Sequence, residues 1–110
     1  MKSGRANTRE LEQMISDAVV DCYNDQEVFM GITYTLEGGL SFPFQAKALG
    51  DTVEVMGIDD TRSSMGRGVV ARVRKGDRDY TIGLAELEMD PEDTKNAKWF
   101  EMYHYWLGKY

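Results

Sequence analysis

Four carboxylates fall within the seven residues of LEMDPED, Leu87 to Asp93. Carboxylate oxygens are hard donors, and calcium takes six to eight such oxygens in flexible geometry. Softer metals are poorly served. The chain has one thiol, Cys22, and one imidazole, His104, and they lie far apart in sequence. The same stretch also reads as a helix start, with Asp90 as N-cap, Pro91 at the first helical position, and Glu92 and Asp93 facing the positive end of the dipole. The two roles are compatible, because a capping carboxylate keeps free lone pairs. An EF-hand is excluded by its own pattern. Counted from Asp90, positions one, three and twelve are acidic (Asp90, Glu92, Glu101), but Thr94 holds the fifth and Lys95 replaces the turn glycine.

The charge of the whole chain agrees with a cation ligand. Nineteen acidic against thirteen basic residues give a formal net charge of −6. Duplex binders draw most of their affinity from neutralising phosphate, so this balance argues against nucleic acid and against anionic lipid. No window approaches the roughly 18 apolar residues of a membrane span, and the N-terminus has no apolar stretch resembling a signal peptide. A lone cysteine indicates a reducing compartment, so the expected location is the cytoplasm. With 110 residues, 42% of them hydrophobic, the chain reads as one globular domain, residues 1–110, with a loose polar tail over 1–7.

The elements that must position the acids are read from periodicity. Leu11, Met14, Ile15, Ala18, Val19 and Cys22 form a helical stripe, opened by a capping box of Asn7 and Glu10 and closed near Asn24. Five short strands follow, over roughly 28–36, 40–48, 52–58, 68–75 and 79–84, punctuated by EGG, GD and KGDR turns. Pro43 marks an edge strand or a bulge. Val53 and Val55 share one face of the third strand, opposite Thr52, Glu54 and Met56. A last helix from Asp93 carries Trp99, Tyr103, Trp106, Leu107 and Tyr110 along one apolar face. The fold class is therefore α+β: a small five-stranded SH3-like antiparallel barrel flanked by an N-terminal and a C-terminal α-helix.

In such a meander the EGG tip, the 59–66 loop and the end of the fifth strand lie at one pole. Glu37, Asp59, Asp60 and the run to Asp93 would gather there, whereas Asp51, Asp77 and Asp79 lie at the other pole beside Lys75 and Arg78. Crowded carboxylates repel, and a divalent cation relieves that repulsion. The expected ligands are Glu37, Asp90, Glu92 and Asp93, with Asp59 and Asp60 lending outer charge. No nucleophile–base pair or catalytic carboxylate pair stands at a supporting spacing, so an enzyme is not expected. His104 reads as a packing residue. Arg72 and Arg74 read as one solvated strand face.

MGITYTLEGGLSFPFQAK, DTVEVMGI, GLAELE and YHYWLGKY together resemble the small bacterial calcium-binding proteins of the CcbP type. The resemblance runs from Ile15 to Tyr110 and is most specific at Phe42–Pro43–Phe44 and His104–Tyr105–Trp106. It implies an acidic, cytoplasmic protein that binds Ca2+ through surface carboxylates, without EF-hands and at modest affinity, as buffer or sensor. The competing reading is an SH3-like interaction module whose metal binding is weakened or lost. It would hold a protein partner through Tyr34, Tyr80, Phe42 and Phe44 with the Arg72/Arg74 strand.

Overall fold

Asn7 opens the first helix as its sequence predicts: its side chain accepts from the Glu10 N–H at 2.8 Å, while Glu10 reaches back to the Asn7 N–H. A computed structural model describes residues 7–90 and 92–109. Residues 1–6 of the expected tail, Pro91 and Tyr110 lie outside the described residues. Helix α1 spans Thr8–Ala18 and buries Leu11 and Ile15. It stops earlier than its apolar stripe, because Asp21 adopts a left-handed conformation (φ 64°) that breaks the helical path. Cys22 thus lies in the connection, its thiol donating to the Glu27 carbonyl at 3.3 Å.

The stretch expected to be the first strand is a helix. α2 spans Asp25–Gly39 and buries Phe29, Ile32, Thr33 and Leu36, an i, i+3, i+4, i+7 stripe. Asn24 caps it, accepting from the Glu27 N–H at 2.8 Å, and Glu27 in turn accepts from the Tyr23 N–H at 2.7 Å. The EGG glycines close this helix and do not turn a hairpin. α3 spans Thr94–Lys109 and buries Asn96, Phe100, Met102 and Tyr103. Trp106 meets Phe29 of α2 at 6.5 Å between ring centroids and Tyr103 at 6.2 Å. The aromatic face of α3 is thus met by α2, a helix where the sequence predicts a strand. Within the same unit, Glu12 of α1 accepts from the Tyr105 hydroxyl at 2.7 Å and from Lys109 at 2.8 Å.

The remaining elements make a five-stranded antiparallel sheet in the order β4-β3-β2-β1-β5. Its strands are β1 Phe44–Ala48, β2 Asp51–Ile58, β3 Val70–Lys75, β4 Arg78–Gly83 and β5 Leu87–Met89. A 3-10 turn, Leu84–Glu86, leads into β5. Ala46, Val53, Val55 and Val73 are buried on one face, as the alternation predicts, and Arg72 and Arg74 stand on the exposed one. Two-residue turns join β1 to β2 through Leu49–Gly50 and β3 to β4 through Gly76–Asp77. Pro43 precedes β1, and β1 is paired on both sides, so it is not an edge strand. The fifth strand is not at 28–36 but at Leu87–Met89, inside the acidic stretch, paired to β1.

The α+β class with a five-stranded antiparallel sheet stands, with three helices rather than two. The sheet does not close into a barrel: β4 and β5 are its ends. The helices form one compact unit, within Met1–Leu40 and Pro91–Tyr110, and the sheet a second, Ser41–Asp90. Among the described residues no helix is long and apolar enough to cross a membrane.

Candidate metal centre

Three of the expected ligands belong to the helical unit. Glu37 is exposed in the last turn of α2, and Glu92 is exposed just before α3. Asp93 is half-buried and caps α3: its carbonyl accepts from the Ala97 N–H at 2.9 Å, and its carboxylate accepts from the Asn96 N–H at 3.2 Å. The Asn96 side-chain amide adds a second bond at 2.9 Å. The capping role expected of Asp90 thus falls on Asp93, because the helix begins at Thr94 rather than at Pro91.

The C-terminal end of α2 lies against the first half of α3. A β-carbon on Gly39 would fall within 2.7 Å of the Trp99 ring atom Cδ2. Glu37 stands two residues before Gly39, and Asp93 six residues before Trp99, about 9 Å along a helix. Phe29 faces Trp106 and Gly39 faces Trp99, so the two helices run antiparallel and these steps point opposite ways. Glu37 and Asp93 lie toward the same end of the pair, but their backbones are roughly 12 Å apart along it. The negative pole of the α2 dipole and the positive pole of the α3 dipole both lie at that end and oppose each other.

The other three acids belong to the sheet. Asp90 is exposed and follows β5, and Asp60 is exposed in the loop after β2. The Asp59 carboxylate is already engaged. It accepts from the Thr61 hydroxyl at 2.8 Å and the Arg62 N–H at 3.2 Å, and pairs with the Arg62 guanidinium at 3.4 Å. The Thr61 hydrogen bond, followed by the Arg62 contacts, holds its pKa below the ordinary aspartate value. Asp59 and Asp90 follow β2 and β5, which flank β1, so strand spacing alone separates them by roughly 10 Å. With no strand at 28–36, no hairpin tip carries Glu37 to the end of the sheet. At the turn end of the sheet, charges cancel as expected, Lys75 bonding Asp51 and Arg74 bonding Asp79, each at 2.7 Å.

Donor chemistry fits calcium, since the acids at the α2–α3 end offer only oxygen. Yet among the described residues no three His, Cys, Asp or Glu side chains are grouped so as to hold an ion. No carboxylate cage is prebuilt. The aromatic residues expected to line a peptide groove are dispersed: Tyr34 is exposed on α2, Phe44 is buried on β1, and Tyr80 is exposed on β4. His104 is exposed, its ring 6.3 Å from that of Tyr103.

The family model for calcium binding of the CcbP type matches residues 12–107. The chain belongs to the CcbP family. Calcium is the ion that this family is described as binding. Among solved structures, the crystal structure of Anabaena CcbP is similar at 26% identity and a TM-score of 0.77, covering 93% of this chain and 92% of that one. A calcium-binding protein in its calcium-binding form is similar at 26% identity and a TM-score of 0.71, covering 99% and 97%. No curated protein sequence matches. The framework triplets of this CcbP-family chain have structural places: the Phe42 and Phe44 rings lie 5.6 Å apart at the start of β1, and Trp106 bridges α3 to α2.

Proposed function

We propose that the chain is a non-catalytic, cytoplasmic calcium buffer or sensor whose ion is held by Glu37, Glu92 and Asp93 at the α2–α3 end. The observation that supports this reading is the close approach of Gly39 to Trp99, which sets the α2 C-terminus beside the capped start of α3. Calcium tolerates irregular oxygen sets, including carbonyls and water, so three carboxylates on two helix ends suffice for weak binding. A site without an EF-hand is part of this reading. α3 begins at Thr94, the fifth position from Asp90, and leaves no room for a twelve-residue loop. Without a prebuilt cage the side chains must be ordered by the ion, which lowers affinity to a dissociation constant on the order of 10⁻⁴ M. Calcium calorimetry on the wild type and on Glu37→Gln tests the reading: saturable heat that weakens in the variant is expected. An unchanged isotherm in Glu37→Gln would remove Glu37 from the site.

A further inference from the structure

We propose that the concavity beside β3 and β4 is a binding site for a phosphate group, gripped by Arg72. The hollow measures about 520 Å³, and its walls include Arg62, Arg72, Arg74, Asp59, Asp79 and Thr81. Two of the three guanidiniums are neutralised, Arg62 by Asp59 and Arg74 by Asp79. Arg72 forms no ion pair or side-chain hydrogen bond among the described residues, although its charge also acts on Asp79. Three guanidiniums thus face two carboxylates across the hollow, which leaves its wall with a net positive charge in an otherwise acidic chain. Glu54, opposite Arg74 on β2, acts on Arg74. In the ladder Arg72 stands between Gly57 of β2 and Thr81 of β4. Its guanidinium occupies the space a side chain at 57 would fill, since a β-carbon there would lie 2.6 Å from Nη2. The planar fork is thus laid over bare backbone on the β2 side of β3, with Thr81 on the β4 side. Such a fork grips a phosphate through two parallel hydrogen bonds. The volume lies within the range of small-molecule pockets, larger than a bare ion needs, and so suits a small phosphomonoester.

The full chain titrated with inorganic phosphate at low ionic strength, read by the arginine Nε–Hε resonances, decides it. A saturating shift of the Arg72 signal is expected. Affinity should fall at least about tenfold in Arg72→Ala and less in Arg72→Lys, and remain unchanged in Arg78→Ala, a residue that does not line the hollow. Equal binding by wild type and Arg72→Ala, an equal loss in Arg78→Ala, or the same saturation with acetate would overturn the assignment.

Discussion

Gly39 of α2 and Trp99 of α3 are in such close apposition that the glycine hydrogen occupies the only space available beside the indole. Replacing a helical glycine with alanine ordinarily stabilises a helix by about 0.5–1 kcal/mol. At position 39 the added methyl meets a ring in a packed contact, and overpacking costs about 1–3 kcal/mol. Gly38, one residue earlier, has open space around its would-be β-carbon. Denaturant melts should therefore show opposite signs: Gly38→Ala more stable than wild type, Gly39→Ala less stable. Stabilisation by both would remove the close helix approach on which the calcium proposal stands.

Asn24 accepts from the Glu27 N–H at 2.8 Å and fixes where α2 begins. Loss of such a cap costs about 1 kcal/mol. Asn24→Ala should lower stability by that amount in urea melts, with Asn24→Asp close to wild type. If Asn24→Ala melts like wild type, the cap is not holding the helix.

Leu49 is 98% exposed and left-handed (φ 54°) in the β1–β2 turn. A non-glycine residue there pays about 1–2 kcal/mol of steric strain, and asparagine tolerates the conformation better. Leu49→Asn should raise the melting temperature, corresponding to up to about 1 kcal/mol. A lower melting temperature would mean that Leu49 makes a contact outweighing the strain.

The Lys109 and Tyr105 hydrogen bonds hold the Glu12 pKa below the ordinary glutamate value. A depressed carboxyl pKa stabilises the fold above the unfolded value of about 4.3, and that contribution is lost as pH falls through the folded value. The stability gap between wild type and Glu12→Gln should therefore be fully present at neutral pH and close below about pH 4. A gap that stays constant down to pH 2 would mean the ion pair contributes nothing to the pH dependence.

Much of the sheet was legible because its signals are local. Val53 and Val55 alternate with polar neighbours, and Gly76 supplies the left-handed residue that KGDR announces (φ 64°). α2 was missed because Val28, Ile32, Thr33 and Thr35 are β-branched and Phe29 and Tyr34 aromatic, all types enriched in strands. The contrary signal was present: Asn24 with Glu27 has the capping-box spacing, and Phe29, Ile32, Thr33 and Leu36 recur with helical period. β5 has three residues, too few to show a period, and is defined only by its pairing with β1. The shift of the α3 cap from Asp90 to Asp93 moved one carboxylate of the acidic run into backbone hydrogen bonding, a choice between two aspartates that composition alone does not make. Acid content of the candidate site was therefore readable, but the partner element carrying Glu37 was not.

The central claim is that calcium is held where the end of α2 meets the start of α3. An amide NMR titration with calcium, run beside magnesium, tests it directly. The account predicts saturable shifts confined to residues 36–39 and 92–96, weaker with magnesium and weakened several-fold in Glu37→Gln. Saturable shifts elsewhere, or none up to millimolar calcium, would contradict it.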